Sequence, residues 1–477
     1  MKIENIDVDK AVDHVRELLK KEQDLSPALS GALEVLLLLV SVLLGRVTLN
    51  SQNSSKPPSS DQNREKRKKE GSGNKPGGQK GRTGKNLKPV DDPDQIKVIA
   101  VDQSTLPPGE YVVVGFEKRQ VVDIDVSRTV TEYQAQVLRN EKGCQFTASF
   151  PEGIDRPIQY GASVKAHAVY LSQFQLIPYD RIRDYFDEQL QMPVSSGSLF
   201  NFNQAAYEGL NAFDGWIRKT LTEEELLHAD ETGVNIGGKR HWIHCHSSDH
   251  LTYLYPHAKR GTEAMDEVGV LSQYKGVLCH DHWKPYYRYD CAHALCNAHH
   301  LRELERAWEQ DKQKWAQQMK QLLLDMNVAV DEAGGALSCD QAKLWRARYR
   351  ALLEEAEIEC PPPDESQRKE RQRGRLKRSK SRNLLERLLN FELDVLRFLE
   401  NKAIPFTNNQ GERDLRMTKV QQKISGCFRS MDGAKIFCRV RSYISTCRKQ
   451  RVSATDALTL LFEGKMPEFI QIQADGE

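Results

Sequence analysis

Two short apolar runs, each ending in an aspartate, constrain this chain more than any other feature. Leu226-Leu227-His228-Ala229-Asp230 and Gly276-Val277-Leu278-Cys279-His280-Asp281 read as strands, and their acids stand 51 residues apart. Between them, Gly237-Gly238 predicts a hairpin turn into a strand at Trp242–His246. Leu251–Tyr255 predicts a third strand and Thr262–Glu267 a helix. A further strand is expected at Ala292–Leu295, running into a helix over Ala298–Gln310.

The order β-β-β-α-β, with Asp on the first and fourth strands, is the opening of a ribonuclease-H-like α/β fold. Strand ends that neighbour each other bring Asp230 and Asp281 close, and two anions at close range repel unless a cation lies between them. Mg²⁺ (or Mn²⁺) takes such hard oxygen ligands and keeps waters for substrate phosphates. A pair of such ions suits phosphoryl transfer. Either Asp alone reads equally as a turn cap; the pairing makes the chemistry.

A third carboxylate is needed. Thr407–Arg416 offers Glu412, in the first turns of a helix that Asn408 or Asn409 can cap. Glu412, Arg416, Lys419 and Lys423 fall on one helical stripe, a candidate ligand followed by three candidate phosphate contacts. Glu303 and Glu305 are its rivals. The stretch 279–300 is crowded with Cys and His, and Cys296-x-x-His299 has zinc-like spacing. A lone pair is half a site. Cys296 and His299 are therefore expected to be structural, packed near the acids, and zinc is not expected.

Charge is distributed unevenly. Lys+Arg 69 nearly balance Asp+Glu 67, yet Ser51–Lys88 holds eleven Lys/Arg against three Asp/Glu. This basic strip on a near-neutral body points to nucleic acid, with Arg64, Lys66, Arg67, Lys68 and Lys69 as the densest run. A second basic run spans Arg368–Arg382. The strongest apolar run, Val35–Leu44, is half of what a bilayer needs, about 20 residues, so no membrane role is expected. The N-terminus lacks the pattern of a secretory signal. Ten cysteines are ordinary for this length and argue for a reducing, cytoplasmic compartment.

The chain divides into expected modules. Residues 1–50 form an N-terminal helical segment and 51–90 a basic flexible linker. Residues 91–155 form a small β-rich module, with strands expected at Tyr111–Val114, Arg119–Ile124 and Val130–Val137. Residues 156–222 are helical, either a helix-turn-helix-like DNA-binding region or a plain helical hairpin. Residues 223–470 form the ribonuclease-H-like domain, with a charged helical insertion over 306–400.

Several motifs are similar to those of one family. Asn50–Asp61 (NSQNSSKPPSSD), His228–Gly233 (HADETG), His280–Tyr287 (HDHWKPYY), His293–Leu304 (HALCNAHHLREL), Asn408–Arg416 (NNQGERDLR) and Lys423–Arg429 (KISGCFR) resemble transposases of the bacterial insertion-sequence sixty-six family. The resemblance covers nearly the whole chain, in family order. It implies a DDE transposase, a metal-dependent enzyme that cleaves and transfers DNA strands of an insertion sequence. The matching positions are Asp230, Asp281 and Glu412 as catalytic and metal-holding acids. Element ends and target DNA are the implied partners, with a homo-oligomer, accessory proteins of the same element and a place at the nucleoid also expected. One departure stands out. Family members usually carry two Cys-x-x-Cys pairs where residues 91–150 hold only Cys144, so any zinc-ribbon-like module here is degenerate. That loss supports a second reading, a DNA-binding regulator derived from a transposase and lacking catalysis.

Overall fold

The structure, a computed structural model, describes residues 2–3, 6–21, 26–47, 49–50, 52–54, 61, 87–364, 366 and 375–470 of the 477-residue chain. The basic run Arg64–Lys69 lies outside the described residues. At the N-terminus, Lys2–Ile3 (β1) pairs with Ile6–Asp7 (β2), and two helices follow, α1 (Val8–Lys21) and α2 (Pro27–Val47). No described helix is long and apolar enough to cross a membrane.

The expected strands at Tyr111–Val114 and Arg119–Ile124 do not form, and of Val130–Val137 only Val137 is in a strand. Over 91–155 the strands are Val137–Arg139 (β3) and Gln145–Thr147 (β4), paired as a small hairpin. The apolar side chains of this stretch are exposed, Val112, Val113 and Val114 among them. Without a second layer to bury one face, alternation alone cannot hold a sheet.

From residue 162 the chain packs densely. Helices α3 (Ala162–Val169), α4 (Tyr179–Leu190), α5 (Ser196–Gly209) and α6 (Asn211–Glu223) lead into a five-stranded sheet. Its strands are β5 (Leu226–Ile236), β6 (Lys239–Ser247), β7 (Thr252–His257), β8 (Val277–His280) and β9 (Ala292–Leu295), with α7 (Thr262–Val268) before β8. The spatial order is β7-β6-β5-β8-β9. β5, β6 and β7 are antiparallel neighbours, while β8 runs parallel to β5 and β9 parallel to β8. Gly237 and Gly238 turn the β5–β6 hairpin with φ of 57° and 80°, a backbone that glycine adopts without strain.

Alternation along β5 assigns its two faces. Leu227 and Ala229 join a core with Phe213, Ile217 and Leu221 of α6. Val234 and Ile236 join Ile243, Leu415 and Phe437 on the other side. A long insertion follows β9: α8 (Asn297–Glu309), α9 (Lys314–Glu332), α10 (Cys339–Glu359), α11 (Lys380–Asn390) and α12 (Glu392–Val395). Its core includes Cys279, Ala294 and Leu295 of β8 and β9, so the insertion covers that part of the sheet. The chain then returns through α13 (Asn409–Ser425), α14 (Met431–Lys449) and α15 (Ala454–Phe462). Helix α14 seals the β7 edge: the Thr252 amide donates to Thr446 Oγ1 (3.0 Å) and the Leu254 amide to Ser442 Oγ (2.8 Å). Side-chain hydroxyls thus satisfy donors that an open edge strand would expose.

Candidate functional site

The first strand is longer than its apolar run suggests, and Asp230 lies within β5 rather than at its end. Its pairing with β8 stops early, at His228↔Cys279, while pairing with β6 continues to Ile236↔Lys239. Beyond His228 one edge of β5 is therefore free of β8. The parallel register pairs Leu226 with Val277 and Leu227 with Leu278. That offset of 51 residues is the one that separates Asp230 from Asp281. Asp281, the residue after β8, thus lies level with Asp230 where the two strands part.

Each Asp is oriented by backbone. Asp230 Oδ1 accepts from the Glu231 amide (2.8 Å), and Asp281 Oδ1 accepts from the Trp283 amide (3.2 Å). Burial is the main cause that holds the Asp230 carboxyl well above the usual carboxylate range; Glu231, Asp281 and, more weakly, Glu412 add like-charge repulsion.

Helix α13 reaches this point through Asn408. Its Nδ2 donates to the Ala229 carbonyl (2.9 Å), its Oδ1 meets His228 Nδ1 (2.7 Å), and its backbone N–H donates to Cys296 Sγ (3.1 Å). The expected capping role is thus not realised: the Asn408 side chain joins α13 to β5 and leaves the helix N-terminus without a side-chain cap. Next to it, Gly411 lets the helix close on the strand, since a Cβ there would stand 3.4 Å from Asp230 Cβ and 3.2 Å from Asn408 Oδ1. Glu412 follows in the first turn of α13, where the helix dipole favours an acid.

Cys296 and His299 flank the three acids. Cys296 is buried, and burial raises its thiol pKa while the Asn408 amide opposes the shift. His299 is biased toward the neutral form, chiefly by burial and then by Arg302, against the pull of Asp281, Glu412 and Glu303. Its Nδ1 is buried and has no hydrogen-bond partner among the described residues. The rival acids are engaged elsewhere. Glu303 accepts from Arg387 Nη1 (2.8 Å), and Glu305 pairs with Lys320.

On α13, Lys419 Nζ donates to the Gly233 carbonyl (3.2 Å), beside the free edge of β5; Arg416, one turn before it, and Lys423, one turn after it, are exposed as Lys419 is. Of the second basic run, residues 368–374 lie outside the described residues, and two of the remaining cations are already engaged. Arg378 pairs with Glu386 (2.7 Å), and Arg382 pairs with Glu357 (2.9 Å) and Glu386 (3.0 Å) while donating to the Cys360 carbonyl.

Glu231 is the residue that sequence reasoning missed. Strand alternation turns it to the face opposite Asp230. There Tyr286 Oη donates to Oε2 (2.7 Å) and Arg260 Nε to Oε1 (2.8 Å). Its carboxyl is raised, chiefly by burial, with Tyr286 and Arg260 opposing the shift. The signal was an acid directly after another acid in a strand, which forces one onto each face.

Among the described residues, Asp230, Asp281 and Glu412 have no ion-pair partner, and no three His, Cys, Asp or Glu side chains are gathered closely enough to hold a metal ion. The carboxylates are neighbours of suitable chemistry, not a closed ligand cage.

The model of a family described as Transposase IS66 family matches residues 157–436. The model of a family of unknown function matches residues 4–88. No curated protein matches the chain.

Proposed function

The chain belongs to the IS66 transposase family, and from that premise we propose that it cuts DNA at the ends of an insertion sequence and joins the freed 3′-hydroxyl to target DNA. Asp230, Asp281 and Glu412 are the proposed catalytic set, on a core read as ribonuclease-H-like. The register of β5 and β8 carries this reading: its 51-residue offset sets the two aspartates level, and α13 brings Glu412 beside them. The sheet order, three antiparallel strands followed by two parallel ones, agrees with such a core.

The donor set suits a divalent metal. Among the described residues it offers hard carboxylate oxygens without ion-pair partners and an unpartnered buried His299 nitrogen beside them. Held by Asp230, Asp281 and Glu412, Mg²⁺ or Mn²⁺ would supply charge neutralisation at the scissile phosphate and a more acidic water. The chain's own groups orient the reaction. The Glu231 and Trp283 amides fix the two aspartates, and Asn408 and Gly411 seat the first turn of α13, which carries Glu412, against β5. Arg416, Lys419 and Lys423 extend from Glu412 along the helix as contacts for the DNA backbone. A water oxygen attacks phosphorus, the bond from phosphorus to the 3′ oxygen breaks, and that oxygen leaves as a hydroxyl. The hydroxyl then attacks a target phosphodiester and displaces its 3′ oxygen. Neither step forms a covalent bond to protein.

The test is strand cleavage of an element end by purified protein with Mg²⁺. Asp281→Asn should lower the rate by about 10³-fold, several kcal/mol of transition-state stabilisation. Binding of the same DNA should change by no more than about twofold, because that affinity comes from phosphate contacts. Undiminished nicking by Asp281→Asn would overturn the assignment. Failure of the unaltered chain to nick with any divalent metal would favour the non-catalytic regulator.

A further inference from the structure

The proposed reaction leaves one group of side chains at this end of the sheet unused. The Arg260 guanidinium lies 4.9 Å from the centre of the Trp242 ring and 4.4 Å from that of Trp283, so it sits against two indoles. The Arg240 guanidinium lies 4.7 Å from the Trp242 ring. Trp242 stands opposite Gly233 in the β5–β6 register, and Arg240 rests over that glycine: a Cβ there would stand 3.3 Å from Arg240 Nε. The four side chains form a ladder of alternating cations and aromatics.

Its two cations differ. Arg260 is fixed at the inner end by the buried carboxylate of Glu231. Arg240, at the outer end, is exposed and has no carboxylate partner among the described residues. The ladder adjoins two of the acids, Asp281 through backbone and Asp230 across the thickness of β5. Trp283 donates its amide to Asp281, and Glu231 follows Asp230 in β5. Beside the outer end runs a shallow polar groove, to which Gly233, Asn235, Arg240, Lys419 and Gln422 contribute two cations and no acid.

We propose that this ladder holds an unpaired nucleotide of the DNA strand beside the scissile phosphate. Its base stacks on Trp242 where the Arg240 guanidinium now lies, and its phosphate enters the groove between Arg240 and Lys419. The inference rests on the reading of Asp230, Asp281 and Glu412 as the cleavage site. An indole stacks on any base, and a guanidinium plane does the same while carrying charge. A base inside a duplex has both faces covered by its neighbours, so the ladder selects a nucleotide that is single-stranded or turned out of the helix. Were the ladder only a brace for the hairpin, the Arg260 contacts would suffice, and an exposed terminal arginine over a glycine would add little.

The experiment uses the full chain without divalent metal, so that it reads binding apart from cleavage. The probes are a fluorescein-labelled single-stranded oligothymidylate and a duplex of equal length. Saturation with the single strand should quench part of the intrinsic tryptophan fluorescence. Trp242→Ala should weaken single-strand binding by roughly 5- to 100-fold, the effect of losing one base–aromatic stack. Its duplex affinity should stay within about twofold, since phosphate contacts carry that term. Trp242→Phe, which retains a ring, should keep most of the single-strand affinity while losing much of the quench. That variant decides the matter if the alanine protein does not fold. Equal single-strand affinity in Trp242→Ala, or an unquenched complex of the unaltered chain, would overturn the proposal. Either result would leave the cleavage assay of Asp281→Asn untouched, and absence of cleavage would leave the stacking measurement standing.

Discussion

Asp230 carries a charge that its surroundings resist. Burial and neighbouring acids raise its carboxyl in the folded chain, so the folded state binds more protons than the unfolded state between the ordinary carboxylate value and the raised one. In that window stability falls as pH rises, and the penalty is complete once pH has passed the raised value. Asp230→Asn should therefore raise the Tm of the metal-free protein at pH 7 and flatten the decline of stability from pH 4 upward. Added Mg²⁺ should raise the Tm of the unaltered chain and leave the variant less affected, by linkage of binding to folding. Thermal unfolding across pH, with and without Mg²⁺, checks both. The choice of third acid is tested at the same scale. Glu412→Gln should lose cleavage, by about 10²-fold or more. Glu303→Gln should cost at most about 1 kcal/mol of stability, because it removes one partly exposed pair with Arg387. The two aspartates could be read from the sequence because each ends an apolar run. Glu231 could not, since its role depends on Tyr286 and Arg260, which converge on it only after the strands pair.

Helix α13 shows what a single element contributes. Asn408 links it to β5 through the Ala229 carbonyl and His228, both buried. Asn408→Ala leaves those groups unsatisfied, at about 1–3 kcal/mol each. The expected outcome is a lower Tm together with slower cleavage, since Glu412 loses its anchor; Asn408→Ala with full activity would detach the helix from the site. The existence of most elements from residue 162 onward was legible. The apolar pattern from Leu226 to Leu295 foretold five strands and the helix within them, and helical spacing foretold α13. Boundaries were less legible: β5 runs to Ile236 because it continues pairing with β6 after β8 has ended. The strands expected over 91–137 failed for a different reason. Their alternation was real, but the side chains that alternate find no opposing layer.

Across the whole molecule, function depends on where cations stand relative to the acids. Neutralising Arg64, Lys66, Arg67, Lys68 and Lys69 together should weaken binding to every DNA alike and reduce the salt slope by about 0.9 for each phosphate left without its cation. Titrations of element-end and random DNA at several salt concentrations measure this. Diminished discrimination with an unchanged slope would mean that the segment reads sequence. The same neutralisation at Arg378 and Arg382 should act mainly on stability, because both are already paired within the insertion.

The insertion has one further property. The chain departs at Cys296 and comes back at Asn408, 112 residues later, and the two meet through an amide and a sulfur 3.1 Å apart; the Asn297 amide meets the Phe406 carbonyl at the same separation. The excursion is thus a purse drawn shut at its neck. Lengthening its contents costs little, about 0.6 kcal/mol for each doubling of a flexible loop. What must survive is the drawstring and the lining that covers Cys279, Ala294 and Leu295. Evolution can therefore stretch or trim the stretch between those threads without shifting Glu412 from its place beside Asp230.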